Sequence, residues 1–82
     1  MVRVILTEEF KRVFSKIKDN STKEKIVKQI EKLKNFPEIG KPMRFSRKGT
    51  REVYVHPFRL SYAYLIKEEI IYLFDLYHKD RQ

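Results

Sequence analysis

The sequence predicts an α+β domain: an N-terminal strand, an antiparallel two-helix hairpin, then a mainly antiparallel, twisted sheet of three to four strands. Three observations lead there. Apolar residues recur with a helical period from about residue 8 to residue 36, and from residue 51 the period changes to two. The 82 residues leave room for a single domain, 1–82, and no second one.

Residues 2–6 are β-branched or leucine apart from Arg3, and read as a short opening strand. That run lacks the length and cleavage site of a signal peptide. Thr7 is an N-cap candidate, followed by Glu8 and Glu9, whose charges favour a helix N-terminus. Phe10, Val13, Phe14 and Ile17 then form one apolar stripe, with the helix expected to stop near Asp19-Asn20. Ser21 and Glu24 have capping-box spacing for a second helix carrying Ile26, Val27, Ile30, Leu33 and Phe36, which Pro37 and Gly40 end.

Residues 42–46, 51–55, 58–66 and 70–77 read as strands. The last is apolar on both faces, which suits an interior strand. In the 51–66 region, Val53, Val55, Phe58, Leu60 and Tyr62 share the face expected to meet the helices. Arg59 falls on the other face with Ser61, Ala63 and Tyr54. The weak point is His56-Pro57: Pro cannot take the positive φ of a type I′ hairpin, and a longer turn would swap the faces.

Composition narrows the chemistry. Nineteen Lys and Arg against eleven Asp and Glu give +8, shared evenly by the two halves. Lys41 to Arg51 holds five basic residues and no acid. Such a patch favours a polyanion or an acidic protein, although a lysine-rich solvated surface is the plainer reading for the helices. With no Cys there is neither a disulfide nor a thiolate ligand, and His56 and His78 suggest no zinc site. No apolar run is long enough for a membrane span, and a reducing cytoplasm suits the cysteine count. Two glycines in all leave no phosphate-cradling loop, and neither a metal nor a cofactor is expected.

Arg59 is the first candidate. A guanidinium on a rigid strand can grip a phosphate through two parallel hydrogen bonds, or it can pair with Glu52 across the sheet. His78, ending the last strand, is able to exchange protons near neutral pH. Tyr77 offers a ring or a hydroxyl, or belongs to the core. Lys79 and Arg81 add charge there. Arg44, Arg47, Lys48 and Arg51 surround a loop with Gly49 and are candidates for holding a nucleic-acid backbone.

The segments Gly40-Lys41-Pro42-Met43-Arg44, Gly49-Thr50-Arg51-Glu52-Val53, Phe58-Arg59-Leu60-Ser61-Tyr62 and Leu76-Tyr77-His78-Lys79-Asp80 resemble the RelE/ParE toxin superfamily. The resemblance spans the chain, with motifs in the later half. It implies the toxin of a type II toxin–antitoxin system, a ribosome-dependent mRNA endoribonuclease that blocks translation. The 2′-hydroxyl would attack the adjacent phosphate without a metal. Arg59 and Arg44 would stabilise phosphate charge and His78 would transfer protons, with Arg47, Lys48, Arg51, Tyr77, Lys79 and Arg81 binding RNA. The expected partners are the ribosome, mRNA and an acidic antitoxin, in a heterotetramer as one arrangement. A ParE-like DNA gyrase inhibitor acting by binding, or a degenerate toxin that cuts nothing, is the alternative. Lys41 stands where some members have a glutamate base, and Glu52 and Tyr54 stand where others have two lysines. The general base is therefore left open.

Overall fold

The computed structural model describes residues 2–43 and 49–79, with the order β1 (Arg3–Leu6), α1 (Glu8–Lys16), α2 (Asn20–Asn35), β2 (Lys41–Pro42), β3 (Arg51–Val55), β4 (Phe58–Leu65) and β5 (Ile70–His78). The strands form one sheet in the order β1-β5-β4-β3-β2. β1 runs parallel to β5, and the other neighbours are antiparallel. The α+β class, the helix pair and the largely antiparallel sheet are as the periodicity predicts. The opening strand adds itself beside β5, so the last strand in sequence is an interior one. Of the strand expected at 42–46, only Lys41–Pro42 is seen, and residues 44–48 lie outside the described residues.

Two helix boundaries differ from the sequence reading. α1 ends at Lys16, with Ile17 already in extended backbone, rather than near Asp19. The cap of α2 is Asp19, not Ser21. Its carboxylate accepts from the Ser21 amide at 3.1 Å and from the Thr22 hydroxyl at 2.7 Å. A three-residue link, Ile17 to Asp19, with a carboxylate at its end satisfies the same orphan amides a capping box would. The Thr22 hydroxyl and then the Ser21 amide favour the charged form and hold the Asp19 carboxyl below its ordinary 3.8.

The core lies between the helices and one face of the sheet. Phe10 from α1 and Ile26 and Leu33 from α2 meet Val55, Leu60, Tyr62, Ile71, Leu73 and Leu76, all buried. The β3–β4 register pairs Val53 with Leu60 and Tyr54 with Arg59, which keeps the faces as the alternation predicts. The difficult turn is solved without a longer loop. His56 and Pro57 alone join Val55 to Phe58, and the peptide bond between them is cis, as in turns with Pro at the third position.

β5 breaks the alternation. Ser61 pairs with Asp75 while Tyr62 pairs with Leu73, so Phe74 is an extra residue, a β-bulge. Core residues therefore run Ile71, Leu73, then Leu76. Thr7 serves this bulge from the far end of the chain. Its hydroxyl lies 2.8 Å from the Leu73 carbonyl and 2.9 Å from that of Phe74, and it accepts from the Phe10 amide at 3.2 Å. One side chain thus caps α1 and donates its hydroxyl to the bulge carbonyls. Replacing Thr7 with Val, which keeps its shape, should cost about 1–2 kcal/mol in urea unfolding, as a lost cap does. A change within about 0.5 kcal/mol, the scatter of an uninvolved surface site, would rule out that double role.

Candidate active site

Glu52 and Tyr54 of β3, Arg59, Ser61 and Ala63 of β4, and Asp75 and Tyr77 of β5 share the sheet face turned away from the core. The pairs Tyr54–Arg59, Glu52–Ser61, Arg59–Tyr77 and Ser61–Asp75 place them there. The bulge decides which C-terminal side chain arrives. Continued alternation from Ile71 and Leu73 would have turned Tyr77 to the core and His78 to this face. One extra residue exchanges them.

Around Arg59 the groups interlock. An Arg59 Nη1 donates to Glu52 Oε1 at 2.9 Å, and the Tyr77 hydroxyl donates to Glu52 Oε2. The Arg59 guanidinium carbon lies 5.9 Å from the Tyr54 ring centroid, in reach of the ring's negative face. The Tyr54 hydroxyl bonds His56 Nδ1 at 2.8 Å. The Glu52 side chain is only 10% exposed and that of Arg59 36%. A carboxylate so covered needs its two donors, because an unpaired buried charge is costly. Arg59 Nε is buried and has no hydrogen-bond partner among the described residues. An orphan donor of this kind costs about 1–3 kcal/mol, which an acceptor arriving at that edge would recover. Small neighbours, Ser61 and Ala63, keep the surface beside the guanidinium low.

A hollow of about 440 Å³ adjoins this cluster, lined by Lys41, Glu52, Tyr54 and Arg59 from the sheet and by Gln29 and Lys32 from α2. Three cationic side chains thus border one carboxylate. Lys32 has no mark in the sequence that separates it from the other helix lysines; only its position over the β3 edge does. Glu52 enters the sequence reading as a partner for Arg59 and as a departure from the expected lysines, not as a chemical group in its own right.

The other candidates are distributed differently. His78 does not share the Arg59 face. It pairs with Phe58, and their rings meet edge-on with centroids 5.7 Å apart. It lines a cleft of about 700 Å³, distinct from the Arg59 hollow, with Val13, Ile17, Thr22 and Pro57, and Asp75 and Tyr77 of the same strand also border that cleft. Arg51, expected to hold RNA, turns its guanidinium to the chain itself, donating to the Glu38 carbonyl at 3.0 Å and the Gly40 carbonyl at 2.9 Å. Lys79 is exposed past the end of β5, its amide donating to the Pro57 carbonyl at 3.0 Å. Arg44, Arg47, Lys48 and Arg81 lie outside the described residues. Among the described residues no group of three or more His, Cys, Asp or Glu could hold a metal, and no helix is long and apolar enough to cross a membrane.

The segment leading to the basic loop is pinned. Buried Tyr62 donates its hydroxyl to the Pro37 carbonyl at 2.8 Å and accepts the Gly40 amide at 2.9 Å. A Cβ on Gly40 would stand 2.5 Å from the Tyr62 hydroxyl oxygen and 2.7 Å from its ring. The ring is held in the core and cannot retreat. Gly40→Ala should therefore destabilise the fold by about 1–3 kcal/mol, the usual range for overpacking, as read from urea midpoints. A neutral result would mean that the segment moves freely on the sheet.

A family model for the ParE toxin of the type II toxin–antitoxin system parDE matches residues 4–82, and the chain belongs to that family, within the RelE/ParE toxin superfamily. Solved structures share the fold. A chain of the toxin–antitoxin complex RelBE2 from Mycobacterium tuberculosis superposes with a TM-score of 0.85 at 21% identity, over 95% of this chain and 98% of that one. A chain of the intact E. coli RelBE complex gives 0.82 at 12%, over 99% and 100%. One of the archaeal RelE–RelB complex from Pyrococcus horikoshii OT3 gives 0.80 at 14%, over 99% and 98%. No curated protein matches the sequence significantly.

Proposed function

We propose that this toxin cleaves mRNA in the translating ribosome, through attack of a 2′-hydroxyl on the adjacent phosphate. The observation that carries the reading is Arg59: a strand-held guanidinium on the sheet face away from the core, with its buried Nε unpartnered among the described residues and two lysines bordering the same hollow. That is the equipment for a phosphodiester whose negative charge grows in the transition state. Purified toxin added to cell-free translation, with mRNA ends mapped by primer extension, tests it. Cuts at ribosome-occupied codons that vanish with Arg59→Ala support the reading. Intact mRNA with folded toxin overturns it.

The proposed partner is an acidic antitoxin. The net charge of +8 suits one, and the neighbours named above come from toxin–antitoxin complexes. Binding of such a partner would also stabilise a small core by mass action.

A second reading, inhibition of DNA gyrase by binding alone, is favoured by one feature. Glu52 already neutralises Arg59, as suits a structural pair. A supercoiling assay beside the translation assay separates the two.

A further inference from the structure

We infer, on the reading that the chain cleaves RNA, that Glu52 is the group that takes the 2′-hydroxyl proton and that Tyr77 is the group that protonates the leaving 5′-oxygen. Glu52 binds Arg59 with one carboxylate oxygen and receives the Tyr77 hydroxyl on the other. A phosphate drawn to the exposed part of the Arg59 guanidinium would therefore have a proton acceptor and a proton donor beside it, already in contact with each other. The second carboxylate of this face, Asp75, has an oxygen committed to the backbone amide of Leu76 at 2.9 Å and makes no ion pair with Arg59. His78 lies with Phe58 on the opposite side of the strand.

The proton count closes without an outside reagent. Glu52 removes the 2′-hydroxyl proton as that oxygen forms its bond to phosphorus. The bond from phosphorus to the 5′-oxygen breaks, and its electron pair stays on that oxygen, which takes the Tyr77 phenolic proton. Arg59 meanwhile holds the non-bridging oxygens. The tyrosinate then recovers a proton from the Glu52 carboxylic acid through the hydrogen bond that joins them. The products are a 2′,3′-cyclic phosphate and a free 5′-hydroxyl, and both side chains return to their starting forms.

The test is single-turnover cleavage on ribosomes programmed with one mRNA, comparing the unaltered toxin with Glu52→Gln and Tyr77→Phe. Glu52→Gln keeps an acceptor oxygen for Arg59 and turns an amide N–H toward the Tyr77 hydroxyl, whose oxygen can accept it, so a structural role would survive it. Removal of a general base is expected to slow cleavage by about 10²–10⁴-fold, with co-sedimentation on ribosomes and the thermal melt retained. Tyr77→Phe should slow cleavage too, and a substrate carrying sulfur in place of the 5′-bridging oxygen should restore its rate, because a thiolate leaves without a proton. That substrate should not rescue Glu52→Gln. Cleavage by Glu52→Gln at or above the unaltered rate would overturn the assignment and leave Glu52 as a restraint on Arg59. Failure of sulfur to rescue Tyr77→Phe would overturn the role of Tyr77. If the unaltered toxin cuts nothing, the cleavage reading itself falls, and this inference falls with it.

Discussion

Arg59→Ala is expected to lower the single-turnover rate of mRNA cleavage by about 10²–10³-fold, the usual loss when one preorganised donor to a developing oxyanion is removed. The guanidinium has neither Gly flexibility nor a mobile loop behind it. It is mid-sheet, between β3 and β5, and its neighbour Glu52 fixes its angle. A donor already oriented need not reorganise when charge appears on the phosphate. Arg59→Lys should recover little, since a single ammonium cannot reproduce the planar fork. The fold should survive Arg59→Ala, though weakened, because Glu52 loses its ion pair but keeps the Tyr77 hydrogen bond. Cleavage that persists with the fold intact would remove Arg59 from the chemistry. Loss of gyrase inhibition instead of cleavage would move it to the second reading.

Tyr62→Ala is expected to be the most damaging change to the fold, at about 3–5 kcal/mol for an aromatic removed from a core. Tyr62 is the largest of the fully buried side chains. A domain of this length has roughly 4–12 kcal/mol in total at 0.05–0.15 per residue, so the variant should be folded chiefly when a partner binds it. Tyr62→Phe isolates the hydroxyl. It strands the Gly40 amide and the Pro37 carbonyl and should cost about 1–3 kcal/mol. Urea unfolding of the three proteins measures both. If Tyr62→Phe were as stable as the parent, the hydroxyl would not be what pins residues 37–40.

Tyr62 also sets an alkaline limit. Burial pushes its phenol above the ordinary 10.0, because the charged form is the one desolvation penalises. The folded pKa is raised, so the contribution is complete below pH 10.0 and is lost as pH rises through the folded value. Tyr62→Phe should flatten that part of the stability profile.

Much of this was determined by local sequence. The helical stripe through Phe10, Val13, Phe14 and Ile17 and the alternation through Val53 to Tyr62 follow from backbone periods of 3.6 and 2, which each residue carries with it. Those periods also put Arg59 on the face away from the helices, with the Glu52 pairing as one of its two readings. The tertiary structure decided the rest, for reasons no local period holds. The bulge at Phe74 exists in the pairing of two strands, and the residue whose hydroxyl donates to its carbonyls, Thr7, is 66 positions from Leu73. That one inserted residue brings Tyr77 to Arg59 and sends His78 to Phe58. Arg51 turns its guanidinium to the backbone because the carbonyls of Glu38 and Gly40 come within its reach only once Tyr62 has drawn residues 37–40 onto the sheet. Glu52 becomes a chemical group rather than a surface acid because three strands, meeting in register, enclose its carboxylate between Arg59 and Tyr77.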